Sequence, residues 1–95
     1  MKSVYKVRAK IWLYPGMAGW HFLTIPEKTA ATIKEKHGKN ARGWRSIPVE
    51  VTLGKSIWKT SIFPEKHIYL LPLKAAIRQK EGIAAEDTVS FTLRI

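Results

Sequence analysis

WHFLTIPEKTA, residues 20–30, is a short apolar strand that meets a proline and passes into a helix, and a similar stretch follows later in the chain. The second copy, KHIYLLPLKAA at residues 66–76, has the same layout. A shift of 46 residues aligns four identical pairs, His21/His67, Pro26/Pro72, Lys28/Lys74 and Ala30/Ala76. The repeat therefore predicts two similar halves related by a pseudo-twofold axis, each contributing strands and one capping helix.

The proline of each copy suits the first turn of a helix, because its φ is already fixed at a helical value. The first helix is predicted over residues 27–36 as a short cap on the core. Its inward positions are expected to be Ala30, Ala31 and Ile33. The second helix begins after Pro72 and ends at Gly82, which is well placed as the residue that follows a helix C-terminus.

Alternation of apolar and polar residues predicts six short strands. They cover residues 3–13, 20–25, 47–53, 57–63, 67–71 and 88–93. Residues 14–19 hold a Pro-Gly pair and predict a turn between the first two strands. Pro64 is expected to break the ladder after the fourth strand, because proline has no backbone donor. Six short strands with two helices indicate a mainly β protein, closed or nearly closed into a barrel, since closure removes exposed edges.

Composition indicates one domain. Ninety-five residues with 45% hydrophobic content can form a single modest core, alone or as a small homo-oligomer. There is no cysteine, which excludes disulfides and thiolate metal sites. Charges interrupt the first eight residues where a signal peptide needs an apolar run, and no segment has the roughly 20 apolar residues of a membrane span. We therefore expect a cytoplasmic protein with no membrane contact.

Charge is unevenly distributed along the chain. Seventeen Lys+Arg against seven Asp+Glu give a formal net charge of +10. Residues 1–48 hold ten cations and two acids, whereas residues 49–95 hold seven cations and five acids. Such a chain attracts polyanions, and the first half is expected to carry most of any surface that faces an anion.

Several motifs together resemble domain-of-unknown-function family 1905. They are Trp20-x-Phe22 with Ile25-Pro26, Val49-x-Val51-x-Leu53-Gly54, Trp58-x-Thr60-Ser61-Ile62-Phe63-Pro64, and Tyr69-x-Leu71-Pro72-Leu73-Lys74-Ala75-Ala76-Ile77-Arg78 leading to Gly82-Ile83 and Asp87-x-Val89. The resemblance covers nearly the whole chain, and residues 74–89 are its most specific part. It implies a small double-split β-barrel capped by helices, with no established activity. In this family a glycine often precedes the final aspartate, where Glu86 stands here.

A weaker similarity concerns residues 71–89, which resemble the swapped-hairpin repeat of AbrB/MazE-type transcription factors. In those proteins a proline, a basic helix and an acidic turn precede the last strand, and two short chains build one barrel. The internal repeat would be a single-chain version of that dimer. This similarity favours DNA binding, but only by analogy of fold.

The densest basic segment is residues 34–45, which contain five cations, one acid and two glycines. Its cations could neutralise phosphates, and its tryptophan could stack on a base. The candidate residues for binding an anion or nucleic acid are Lys34, Lys36, Lys39, Arg42, Trp44 and Arg45. The alternative is a solvated basic loop that Trp44 anchors to the core. Lys6, Arg8 and Lys10 alternate on one face of the first strand and could extend this surface, although a charged outer strand face is common.

Aromatic residues suggest a second kind of site. Four tryptophans are many for a chain of this length, and a pocket inside the barrel could be lined by Trp20, Phe22 and Trp58. Core packing is the alternative role for these rings.

Catalytic and metal-binding patterns are absent from the sequence. His21, His37 and His67 have no acidic or cysteine neighbour at ligand spacing, so we expect no metal and no cofactor. No hydroxyl has a histidine and an acid nearby in sequence, and none of the seven acids forms a close pair suited to general acid–base work.

These observations predict a non-enzymatic binding module whose basic surface engages an anionic partner, nucleic acid above all. The alternative is a small molecule or peptide bound in an aromatic-lined barrel pocket. A third hypothesis, a protein-interaction module acting beside a fused partner, is also consistent with the composition.

Overall fold

The computed structural model describes residues 3–16 and 19–95. Its strands are β1 (Val4–Lys10), β2 (Trp12–Leu13), β3 (His21–Ile25), β4 (Ile47–Leu53), β5 (Ser56–Glu65), β6 (Ile68–Pro72) and β7 (Thr88–Arg94). Its helices are α1 (Glu27–His37) and α2 (Ala75–Glu81). The protein is thus mainly β with two short helices, as the sequence predicts. Met17 and Ala18, in the expected turn at residues 14–19, lie outside the described residues, and the flanking backbone is joined by a 3.0 Å hydrogen bond from Tyr14 N–H to Trp20 O.

The prediction of six strands is wrong, because the described residues form seven. The first predicted strand divides at Ile11, a fully buried residue that lies between the end of β1 and the start of β2. Ile11 N–H donates to Asp87 O at 2.9 Å, and its carbonyl accepts from Glu86 N–H at 2.8 Å. In the sequence the apolar positions continue at every second residue from Ile11 to Leu13, so the apolar pattern alone shows one strand. In the structure Leu13 is 51% exposed, so it does not join the core as this pattern predicts.

The ladder order is β1-β7-β4-β5-β6-β3-β2, and every pairing is antiparallel. The two outermost strands, β1 and β2, are separated by one residue in the chain. A sheet whose two edge strands follow each other directly must curl round, so the sheet is nearly closed into a barrel. This confirms the predicted architecture.

The expected break at Pro64 is also wrong, because β5 runs through it to Glu65. Residues 56–62 of β5 pair with β4, and residues 63–65 pair with β6. Around Pro64 the strand therefore has a partner on one side only. Proline is tolerated in a strand at such a position, where one side of the backbone needs no ladder hydrogen bond.

The pairing registers have the symmetry that the repeat predicts. Thr24 pairs with Leu70, and these residues are 46 positions apart, the same interval as the sequence repeat. Two copies of one strand paired antiparallel must place equivalent residues face to face where a twofold axis crosses them.

The barrel interior is filled by apolar side chains from both halves. The largest fully buried ones are Ile11, Leu23, Ile25, Ile33, Ile47, Ile62, Leu71, Leu93 and Val51. Helix α1 buries Ala30 and Ile33 as predicted, but Ala31 is exposed. The second helix ends at Gly82 in the left-handed conformation, with φ of 65°, as expected for a residue after a helix C-terminus. No helix within the described residues is long and apolar enough to span a membrane.

Candidate functional site

The basic segment begins in the last turn of α1 and continues through two tight turns, Gly38–Asn40 and Gly43–Arg45. The second turn is closed by three hydrogen bonds. Arg42 N–H donates to Ser46 O at 2.7 Å, and the Ser46 backbone N–H and hydroxyl both donate to Gly43 O, at 3.1 and 2.8 Å. Because Ser46 is itself buried, the base of this turn is fixed to the body of the protein.

Trp44 stands at the tip of that turn and is 90% exposed. The ring therefore does not anchor the loop to the core, which was the alternative role for this residue. Trp44 and Arg45 both have left-handed backbone conformations, with φ of 61° and 57°. Such conformations cost a non-glycine residue about 1–2 kcal/mol each. The turn thus holds a large apolar ring in water on a strained backbone.

A groove of about 810 Å³ separates α1 and the loop that follows it from the turn between β5 and β6. Lys34, Lys39 and Arg45 line it on the α1 side. Lys66 and His67 line the opposite side, from the β5–β6 turn. The groove therefore collects cations from two segments that are distant in sequence.

The floor of the groove is apolar, formed by Ala30, Ala31, Ala41, Ile68 and Tyr69. Burial raises the pKa of the Tyr69 phenol above its usual 10.0, so the hydroxyl is a neutral donor at physiological pH. Two acids, Glu27 and Glu35, also line the groove and partly offset its four permanent cations. An apolar floor between charged rims suits a ligand with anionic groups and a flat or apolar body.

Three of the six predicted binding residues, Lys34, Lys39 and Arg45, line the groove. Lys36 and Arg42 are exposed on the same segment, outside the groove lining. Trp44 is next to Arg45 in the chain. The structure thus brings half of the predicted set into one concavity and leaves the others around it.

Sequence reasoning missed Lys66 and His67. They join the groove because Ile25 pairs with Tyr69, which sets the residues before Tyr69 beside the start of α1. The repeat contained the signal for this placement. If its two strand copies pair antiparallel with equivalent residues opposite each other, Lys66 and His67 are predicted to lie beside the start of α1. The local pattern around Lys66 shows only a turn.

The basic row on β1 is separate from the groove. The Tyr5 side chain on β1 contacts α1 through His37, whereas Lys6 and Arg8 point to the opposite face of the strand. Lys6 and Arg8 line a shallower pocket of about 400 Å³, beside Thr52, Ser90 and Thr92. Lys10 forms an exposed ion pair of 3.9 Å with Glu86. The row does not extend the groove.

The aromatic candidates lie elsewhere in the barrel. Trp20 and Phe22 have ring centroids 5.9 Å apart, and the rings of Trp12 and Tyr14 complete the same cluster at 5.6 and 5.5 Å from Phe22. Trp20 is 51% exposed and Phe22 is buried. Trp58 lies on β5, in the part paired with β4, and packs against the buried core.

The three histidines are far apart or otherwise engaged. With Thr24 opposite Leu70, His21 and His67 lie at opposite ends of the β3·β6 pair, six residues or roughly 20 Å apart. His37 Nε2 lies 3.0 Å from Tyr5 Oη, and burial together with nearby Lys36 lowers the pKa of His37 below 6.5. Over the described residues, no three His, Cys, Asp or Glu side chains are grouped to hold a metal ion.

Comparison with models of protein families gives a match over most of the chain. A family model described as a domain of unknown function, DUF1905, matches residues 8–93 of the chain. No curated protein matches the sequence.

Proposed function

The chain belongs to the DUF1905 family, and we propose that it is a non-enzymatic binding module whose basic groove engages an anionic partner, nucleic acid. The observation that carries this proposal is the convergence of Arg45 and Lys66 on one groove from separate segments. Both residues have left-handed φ, 57° and 55°. Strained backbone conformations concentrate at functional sites, where the strain is part of how a side chain is presented.

Structural roles account for only some of the groove cations. Lys34 belongs to the last turn of α1, where the negative end of the helix dipole favours positive charge. Lys39 and Arg45 lie in single 3-10 turns and Lys66 lies in the β5–β6 turn, so the dipole of an α-helix does not account for their charge. A phosphate-bearing partner supplies a reason for it, because each bound cation releases counterions from the polyanion.

Asparagine variants test the proposal without charge reversal. Asparagine tolerates the left-handed conformation and carries no charge, so Arg45→Asn and Lys66→Asn should keep the fold and lose groove cations. Binding of fluorescently labelled oligonucleotides, measured by anisotropy across salt concentrations, should weaken in both variants. The slope of log K against log salt should become shallower by about one contact per variant, roughly 0.7 for single strands or 0.9 for duplex.

The matched control is Lys80→Asn, which removes an exposed cation from α2, outside the groove lining. Net charge changes equally in all three variants. If Lys80→Asn weakens binding as much as the groove variants do, attraction is general and the proposal of a groove site fails. If the unmodified protein binds no nucleic acid at low salt, the whole proposal fails.

A second candidate is a small molecule or peptide bound at the Trp20–Phe22 cluster, which the partly exposed Trp20 ring favours. Such a ligand would raise the melting temperature with little dependence on salt. A thermal-shift screen at low and high salt therefore separates the two functions, and Trp20→Ala should abolish any shift of this kind.

A further inference from the structure

We infer that this site selects single-stranded over duplex nucleic acid, with Trp44 stacking on an unpaired base while the groove cations hold the adjoining phosphates. The inference rests on the proposed function and names the form of nucleic acid that the groove takes. Its basis is the pairing of an exposed tryptophan, on a turn closed by hydrogen bonds, with a neighbouring arginine that lines the groove.

The exposure of Trp44 lowers the stability of the fold. A ring that is 90% exposed forgoes nearly all the burial energy of a tryptophan. Its backbone is also held at a φ of 61°, where glycine or asparagine would be more stable. No stabilising role accounts for the residue, whereas a base stacked on the ring would bury it.

Hydrogen bonds hold the backbone of the turn that carries the ring. Gly43 O accepts two hydrogen bonds from the buried Ser46, and Arg42 N–H donates to Ser46 O, so the tip is closed at its base. Arg45, the next residue, points to the groove. A strand whose base lies on Trp44 therefore has its phosphate backbone beside a cation that is already in position.

Stacking on a protein ring requires a base whose face is free. In a duplex both faces of an internal base are covered by its neighbours, so proteins stack aromatic side chains on unpaired bases. Duplex DNA can still meet the cations of the groove, but it gains nothing from Trp44. The structure therefore predicts two components of binding, a charge component common to both forms and a stacking component for single strands.

The test compares a labelled single-stranded oligonucleotide of about ten thymidines with a labelled duplex of equal length, by anisotropy at one salt concentration. We expect the full-length protein to bind the single strand at least tenfold more tightly. Trp44→Ala should lower single-strand affinity roughly 5- to 150-fold, the effect of losing one base–aromatic stack. The same variant should leave duplex affinity within about twofold, and Trp44→Tyr should restore most of the loss.

Ile57→Ala is the control, since it removes another exposed large apolar side chain from outside the groove lining. Equal binding of the two nucleic-acid forms overturns the inference and leaves the basic groove as the proposed function. The same holds if Trp44→Ala changes single-strand binding no more than Ile57→Ala does. Absence of binding to either form overturns both.

Discussion

The phenol of Tyr5 on β1 and the imidazole of His37 at the end of α1 meet edge to face, with Oη 3.0 Å from Nε2 and an interplanar angle of 87°. This contact ties the C-terminal end of α1, from which the basic loop departs, to the first strand of the barrel. Burial in the contact, and the nearby charge of Lys36, lower the pKa of His37 below 6.5.

The first prediction is that stability falls as pH drops below about 6.5. The folded state disfavours protonated His37, so between its lowered pKa and 6.5 the unfolded chain binds more protons and gains stability relative to the fold. The loss should level off below the folded pKa. Urea unfolding at several pH values measures it, and His37→Phe, which keeps a ring against Tyr5, should flatten the profile in this range. An unchanged profile in that variant would rule out His37 as the cause.

The second prediction concerns Glu86, in the turn that precedes β7. Its φ is 79°, so the turn keeps a glycine-like conformation despite the side chain. Glu86→Gly should raise the free energy of unfolding by about 0.5–1 kcal/mol, since relief of strain exceeds the loss of one exposed ion pair. Glu86→Ala keeps the strain and serves as the control. Equal stability of the two variants, by chemical denaturation, would contradict the argument.

The third prediction concerns the contact between α2 and the β4–β5 hairpin. The buried Ser56 hydroxyl donates to Glu81 Oε2 at 2.6 Å, a hydrogen bond to a charged acceptor. Ser56→Ala should therefore destabilise the fold by about 1–3 kcal/mol, whereas the exposed Ser90→Ala should change it by less than about 0.5 kcal/mol. Adding Glu81→Ala to Ser56→Ala should cost less than the sum of the single changes. Additive losses would show that the pair does not act together.

The same hairpin turns at Gly54, whose φ is 60° and where an added Cβ would clash with the Glu81 carboxylate. Our fourth prediction is that Gly54→Ala destabilises by about 1–2 kcal/mol through its backbone alone. The close approach to Glu81 should add to this, so the cost should shrink when Glu81→Ala is also present. Thermal unfolding of the single and double variants measures the difference, and an equal cost in both backgrounds would exclude a clash.

The fifth prediction sets stability against binding at Trp44. Trp44→Gly should raise the free energy of unfolding by about 1 kcal/mol, because glycine relieves the left-handed strain and the exposed ring contributes little packing. The same change should weaken binding of single strands. Trp20→Gly, by contrast, should destabilise the fold, since that ring packs on Phe22. A loss of stability in Trp44→Gly would indicate a structural role for the ring.

Much of the architecture could be predicted from local pattern. The strand–proline–helix step and its return 46 residues later predicted the two helices and the pseudo-twofold axis that Thr24 and Leu70 mark. Period-two alternation located the strands, and the density of cations located the basic loop. These features depend on near neighbours in the chain, which a linear sequence displays directly.

The break at Ile11 and the passage of β5 through Pro64 could not be predicted in this way. Both arise because a strand exchanges one neighbour for another, and that exchange depends on how distant strands are aligned. The apolar alternation at Ile11 is the same whether or not the ladder changes partner. Pro64 predicts the end of a strand unless one knows that this part of β5 has a neighbouring strand on one side only.

The sequence by itself determined a small, mainly β, internally repeated barrel with a strongly basic segment after its first helix. Only the tertiary structure decided that Lys66 and Arg45 line the same groove, and that Trp44 stands in solvent and does not pack on the core. The physical reason is that composition and period follow from covalent neighbours. A site, in contrast, is made by strand register, here Ile25 against Tyr69, which joins parts of the chain that carry no local sign of each other.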